Sequence, residues 1–383
     1  MKAAFFFDTV LLKDKNNFYA QTLTYDFFKE RYLKYFKNII VSTRIKNIED
    51  ETGYKTGYKI TNGNNVSVIP INNYKNMSDY ILKRKEIEKE ITNIIKNVDK
   101  VIIRMPSIIG IIAFYICKKL NKDYLIELVA CPLDGYLNHK NKLGIIVAPI
   151  MYFKTKSVVH NANKVLYVTK KFLEKRYPTK GISYQCSDVS LKNDSNILKN
   201  RLKRIDTQKE YTNLVTIGNV NMKYKGYKYT IKALNYLKKS GKNNYKFYII
   251  GNGDNKSLMK YIKKYNLDNE VYFLGSLKHS EVFNELKDKD IYIQSSLQEG
   301  LPRAVIEAMS MSLPVIASNA GGTEELINKE NLFKKRNYKE LALKILNMNS
   351  NNQKKYAKIN YDKSKEYNND TLNKKRDKIY SNI

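Results

Sequence analysis

Short, continuously apolar runs alternate with helix-period segments along most of the chain, and this alternation is what most limits the fold. A strand that is apolar at every position has to be covered on both faces, the condition of a parallel sheet with crossover helices. In the first half such runs fall at residues 2–8, 38–44, 66–71, 100–106, 123–129 and 164–170. Between them, residues 78–97 and the valine that follows place Ile87, Ile91, Ile94, Ile95 and Val98 at helical spacing, with Lys and Glu on the remaining faces. The second half repeats the pattern, with strands expected at 212–218, 245–251, 270–276, 290–296 and 314–319 and helices at 230–240, 255–265, 279–287 and 303–311. Two such halves in 383 residues predict an α/β protein of two doubly wound, Rossmann-like domains. The expected division is 1–190, a polar linker at 191–210, a second domain at 211–365, and a terminal helix at 366–383 packing back on the first domain. Tyr356, Ile359, Tyr361, Leu372, Ile379 and Tyr380 are the residues that would dock this tail region.

Charge is the second constraint. Lys and Arg total 69 against 37 Asp and Glu, a formal +32, nearly all of it lysine. Such a surface attracts nucleic acid, anionic lipid or a polyanionic substrate. The chain is equally rich in Asn, Ile and Tyr, residues of A/T-only codons, so a solvated lysine surface set by base composition is the plain alternative. Scarce Arg argues against base-specific DNA reading, and no RNP-type, zinc-finger or zipper pattern occurs. The three cysteines, Cys117, Cys131 and Cys186, lack metal or disulfide spacing, which suits a reducing compartment. The first residues, MKAAFFFDTV, are too short an apolar run for a signal peptide. Residues 108–117 and 143–153 fall short of the roughly 20 residues of a spanning helix, so core or interfacial segments are expected there. With Lys140, Lys142, Lys154 and Lys156 around it, 143–153 suits either a membrane surface or a buried helix.

The segment QSSLQEGLPRAVIEAMSMSLPVIASNAGG carries the chemistry. A strand ends near Ser296, and Pro302 stands where a helix begins, at the first helical position. Free backbone N–H groups around Gly300–Arg303 would form an anion site suited to phosphate. Glu299 and Glu307 flank it, and carboxylates there can accept hydrogen bonds from sugar hydroxyls. The same two residues also read as a surface Glu and a Glu stabilising the positive helix end. Ligands of doubly wound domains gather at the carboxyl ends of strands, which makes Arg104, Glu127, Asp134 and His139 candidates on the acceptor side. Asp288-Lys289-Asp290 imitates a metal-binding Asp-x-Asp but lies at a helix-to-strand joint, so a structural role is expected.

The pair Glu299 and Glu307 resembles the Glu-x7-Glu signature of the retaining GT-B glycosyltransferases of family 4, the glycosyl transferases group 1. Five further pieces follow that family's order: GNVNMKYKG, YIIGNGD, VYFLGSL, DIYIQSS and PVIASNAGGTEEL. In the first half, FFFDTVLLKDKNNFYA, VIIRMPS, YLIELVACPLDG and VLYVTKKFLEKRYP resemble the subgroup acting on cell-surface polysaccharides. The resemblance implies a cleft between the two domains, with the acceptor on the first and a nucleotide-sugar on the second. It implies that Glu307 binds ribose hydroxyls and that Glu299 contacts the donor sugar, with backbone contacts from Gly300, Leu301 and Pro302. Lys225, after Gly218 in the GNVNMKYKG piece, would neutralise the diphosphate. The family's usual Arg after that Gly is Asn219 here, and Lys223 is the cation nearest in sequence to replace it. The usual N-terminal glycine-rich loop is absent, and residues 8–13 stand in its place.

The implied reaction retains the anomeric configuration through an oxocarbenium-like transition state and moves a hexose from a UDP-sugar to a surface polysaccharide or lipid-linked glycan. The nucleotide-sugar is a substrate, and no metal and no cofactor is expected, since lysine and helix N-termini take the metal's place. The expected setting is the cytoplasm, peripheral to the inner membrane face, without specific nucleic acid. The competing readings are a degenerate, scaffold-like glycosyltransferase and a basic nucleic-acid-binding protein.

Overall fold

A computed structural model describes residues 1–48, 57–74, 77–137, 143–191 and 194–383. His139, Lys140 and Lys142 lie outside them. Two units are present. One comprises Met1–Leu133, Ile145–Cys186 and Lys375–Ile383, and the other Asp134–Gly144 and Ser187–Lys374.

The first unit is built on β1 (Lys2–Lys13), β2 (Phe18–Ala20), β3 (Asn38–Asn47), β4 (Lys59–Ile60), β5 (Val66–Ile71), β6 (Lys100–Met105), β7 (Tyr124–Leu128), β8 (Lys164–Tyr167) and β9 (Ile182–Gln185). Seven of these run parallel in the order β5-β3-β1-β6-β7-β8-β9. The short β2 and β4 pair antiparallel beyond the end of β1. Ala3–Phe6 and Val101–Ile103 are fully buried, as central strands covered on both faces require. Residues 8–13 form no loop: β1 continues through them past a register shift between Phe6 and Val10. Asp8 sits at that irregularity, 2.8 Å from the Arg44 guanidinium, and accepts from the Tyr74 hydroxyl at 2.6 Å. The strand can therefore run on because its one acidic residue is neutralised in place.

Among the first unit's helices, Ile108–Lys119 begins at Ser107, whose hydroxyl accepts from the Gly110 N–H at 2.8 Å. Ile109, Ile112, Ala113, Phe114 and Cys117 are its buried face, and Tyr115 is exposed. The tail is held by a buried polar cluster. Glu127, fully buried on β7, accepts from the hydroxyls of Tyr32 (2.9 Å) and Tyr380 (2.6 Å) and pairs with Arg104 at 3.0 Å. Burial first, and then the Glu127 charge, raise both tyrosine hydroxyls well above the ordinary phenol value, so they remain donors. Asp377 adds contacts to Lys34 and Tyr35. Tyr380→Phe removes a donor from a carboxylate that water does not reach. It is expected to cost about 1.5–3 kcal/mol, read as a lower urea midpoint with unchanged slope.

The second unit carries β10 (Thr212–Ile217), β11 (Tyr245–Ile250), β12 (Val271–Gly275), β13 (Ile291–Gln294), β14 (Val315–Ser318) and β15 (Leu332–Phe333). All are parallel, in the order β12-β11-β10-β13-β14-β15, with the chain reversing direction across the sheet at the β10–β13 neighbours. That reversal is the switch point at which open α/β sheets bind ligands. Phe247, Ile249, Ile291, Ile293 and Ile316 form its core with Ile231 and Leu234 of helix Tyr227–Lys239. Residues 191–210, expected as a linker, hold the helix Asn196–Asp206. Its Arg201 is buried and donates to the backbone carbonyls of Leu286, Lys289 and Met311. The polar stretch SYQCSDVSLKNDSN that suggested a boundary ends where this docked helix begins. Of the tail residues expected to dock, Tyr356, Tyr361, Leu372, Ile379 and Tyr380 are buried, whereas Ile359 is 40% exposed.

Candidate active site

The site is assembled at the carboxyl ends of β10 and β13. After β10, Gly218 donates its N–H to Ile250 O at 2.8 Å, and a tight loop leads to a 3-10 turn, Lys223–Lys225, that delivers Lys225. After β13, Ser295–Leu301 forms the facing loop. Lys225 Nζ lies 2.9 Å from Glu299 Oε1, and both side chains are largely buried. Burial works against the Lys225 ammonium, but the Glu299 carboxylate outweighs it and holds the pKa above the ordinary lysine value.

Two glycines permit this approach. Gly226 (φ +71°) lies where a Cβ would stand 2.0 Å from Ser295 O, and Gly321 (φ +58°) where one would stand 1.8 Å from Glu299 O. Only glycine satisfies both the left-handed backbone and the contact. The loops are further tied by Leu297 N to Tyr224 O at 2.6 Å and Gly322 N to Gly300 O at 2.8 Å. The second bond explains why the GG of PVIASNAGG belongs with the acidic loop.

Helix Arg303–Ser310 starts directly after this loop. Pro302 is its N-cap (φ −73°, ψ 100°) rather than its first helical residue, and no side chain caps the end. Proline here sets the entry angle and leaves the first-turn N–H groups without a competing side-chain acceptor, as anion binding requires. Leu301 and Pro302 are buried, and Gly300 is half-buried. Glu307, one turn in, is half-buried, with Oε1 3.5 Å from His279 Nε2.

Several contributors carry no motif. Gln294 donates to Glu299 Oε1 at 2.7 Å and to Ser296 Oγ at 2.9 Å, and its own oxygen accepts from the Tyr292 hydroxyl at 3.0 Å. Glu299 is thus positioned from two sides, by a cation and by an amide. The Tyr227 hydroxyl is buried beside Gly218, with no hydrogen-bond partner among the described residues. His279 was the third of three scattered histidines in the sequence; its position at the head of a helix after β12 was the available signal.

Asn219 supplies no cation and instead shapes the loop. Its amide donates to Asn252 Oδ1 at 2.9 Å and its oxygen accepts from Asn221 N at 2.8 Å. Lys223 is exposed, and no ion pair engages it among the described residues. Arg104 and Glu127, expected on the acceptor side, sit in the buried polar cluster of the first unit. They are engaged with each other and with Tyr32 and Tyr380 inside the first unit, because a lone carboxylate at the middle of a sheet has to be paired when buried. Asp134 is half-buried in the short helix Pro132–Leu137. Asp290 of the Asp-x-Asp look-alike is buried, 2.5 Å from Lys209 and 3.4 Å from Arg204, and accepts from Asn213 N. It braces helix Asn196–Asp206 and strand β10.

The glycosyl transferases group 1 family profile matches residues 199–366, which include every part of this site. The chain is 34% identical over 351 residues to Protein CapJ of Staphylococcus aureus, spanning 91% of this chain and 86% of that protein. Sucrose-phosphate synthase from Thermosynechococcus elongatus superposes with a TM-score of 0.72 at 13% identity, covering 100% of this chain and 98% of that one. Anabaena Alr3699/HepE in complex with UDP superposes with a TM-score of 0.69 at 16% identity, over 100% of both chains. The α/β architecture, with two Rossmann-like parallel sheets, is that of GT-B glycosyltransferases. The chain belongs to the group 1 glycosyl transferases.

Proposed function

We propose that the chain transfers a hexose from a UDP-sugar, with retention at the anomeric carbon, to a growing surface polysaccharide or lipid-linked glycan. The observation that carries this reading is the Lys225–Glu299 pair beside an uncapped helix start, a cation and an anion-binding backbone set around a sugar-binding carboxylate. Lys225 and the first-turn N–H groups would stabilise the charge growing on the diphosphate, and Glu299 would orient the donor sugar. Glu307, backed by His279, would take the ribose hydroxyls. The leaving phosphate itself can accept the acceptor's proton, so no protein nucleophile is assigned. The group 1 profile supports sugar transfer, and the UDP held by HepE supports that nucleotide. The setting is the cytoplasmic face of the membrane, with peripheral contact to anionic lipid.

A thermal-shift panel of UDP, GDP, ADP and their sugar conjugates tests the donor. UDP at 100 times its Kd should stabilise by about 2.7 kcal/mol, and Glu307→Ala should abolish the shift. NMR of the transferred sugar's anomeric proton tests retention. No shift with any nucleotide would favour the degenerate reading, for which the engagement of Asn219 in its loop is the specific support. Turnover should also survive a chelator without loss, because Asp290 is engaged by two cations and Lys225 serves the diphosphate. A chelator-induced loss restored by Mg²⁺ or Mn²⁺ would overturn metal independence.

A further inference from the structure

The first unit carries a groove of about 580 Å³ between helices Met77–Lys96, Ile108–Lys119 and Leu143–His160, and none of its lining residues belongs to the site described above. Its wall is apolar where Ile112, Tyr115, Ile116 and Leu120 line it. Its rim is basic: Arg84, Lys96, Lys119 and Lys154 come from all three helices. The carboxylate lining it, Glu88, is already engaged by Arg84 at 2.7 Å. The three lysines are exposed, with no ion pair to any of them among the described residues.

Helix Leu143–His160 adds a second, independent feature. Ala148 and Met151 are buried, while Ile146, Ile150 and Phe153, at i, i+4 and i+7, are 65%, 50% and 65% exposed. Three large apolar side chains in one exposed row mark an interaction face. Phe153 is followed by Lys154, which lines the groove, so the apolar row and the groove's basic rim meet on this helix. An apolar row beside a cationic rim is how a helix lies on an anionic bilayer. Tyr115, itself 56% exposed, continues apolar surface from outside into the groove.

We infer that this groove binds an acidic phospholipid of the bilayer. The headgroup phosphate sits among Lys96, Lys119 and Lys154, an acyl chain lies along Ile112, Tyr115 and Ile116, and the Ile146–Phe153 row enters the interface. The complementarity of unpaired cations to an anionic headgroup, on a chain of net charge +32, selects this occupant over a zwitterionic lipid or a neutral apolar peptide. The inference rests on the proposed membrane contact and is independent of sugar transfer.

The chain has no tryptophan, so Tyr115→Trp places a lone fluorophore in the groove. Its emission is followed with vesicles of phosphatidylcholine alone and of equal parts phosphatidylcholine and phosphatidylglycerol carrying brominated acyl chains. The expected result is quenching with the acidic vesicles only. In parallel, vesicle affinity of the otherwise unaltered protein should fall roughly thirtyfold in Lys96→Gln/Lys119→Gln, at about fivefold per lysine. The same charge loss in the second unit, Lys260→Gln/Lys264→Gln, should change it little. Acidic-vesicle binding without quenching, lowered equally by both lysine pairs, would overturn the groove and leave the membrane contact standing. Absence of binding to acidic vesicles would overturn both. Displacement by inorganic phosphate at constant ionic strength would make the groove a simple anion site and overturn the lipid assignment.

Discussion

Replacing Lys225 by alanine is expected to lower turnover by a factor of about 10²–10³, the cost of losing one preorganised stabiliser of developing charge. The loss should fall mainly on kcat, because the diphosphate acquires its extra negative charge only as the glycosidic bond breaks. A second effect is structural. Glu299 is largely buried, and without Lys225 the partner that holds its Oε1 among the described residues is the Gln294 amide. The variant should therefore also lose roughly 2 kcal/mol of stability. The pH dependence has a definite sign. Because Lys225 is raised above its ordinary value, the contribution of the pair is fully present at neutral pH and is lost only as the pH climbs past that raised value. Steady-state kinetics with thermal unfolding checks both parts. An unchanged kcat would remove Lys225 from the diphosphate's path.

Gly321→Ala should be the most damaging single methyl in the second unit. The new Cβ would stand 1.8 Å from the Glu299 carbonyl oxygen, a backbone atom with no flexible end to move aside. A non-glycine residue at φ +58° adds a backbone cost of about 1–2 kcal/mol, and overpacking adds roughly 1–3 kcal/mol. Gly241→Ala separates the two terms. Gly241 has φ +74° with nothing within 4 Å of its would-be Cβ, so it should show the backbone cost alone. Denaturant midpoints of the two variants give the clash by difference. Turnover should fall only in Gly321→Ala, since only there does the Glu299 loop have to shift. Equal midpoints would mean that the acidic loop yields freely.

Hydrophobic patterning in the chain was enough for the α/β class and for most central strands, because a strand buried on both faces has to be apolar throughout. Strand β12 and helix His279–Lys287 fall where the runs place them. The short strands β2, β4, β9 and β15 were not legible, because two to four residues carry no periodicity. Helix Asn196–Asp206 was hidden because its buried residues include an arginine, Arg201, whose partners are carbonyls far along the chain. Glu299 and Glu307 could be named from local spacing because they flank a helix start with its own loop signature, whereas Lys225 was named through the family resemblance of GNVNMKYKG. Glu127 and Arg104 were read as strand-end ligands; only the tertiary structure shows Tyr32 and Tyr380 converging on Glu127 from distant parts of the chain.

The sequence by itself determined where helix Arg303–Ser310 begins and which carboxylates flank its start, because caps, prolines and apolar periodicity act within a few residues. Only the tertiary structure decided that Lys225 and Gly321 close on Glu299. Those contacts depend on strand order and register, which bring residues up to 74 positions apart within 3 Å, and no local pattern encodes that distance.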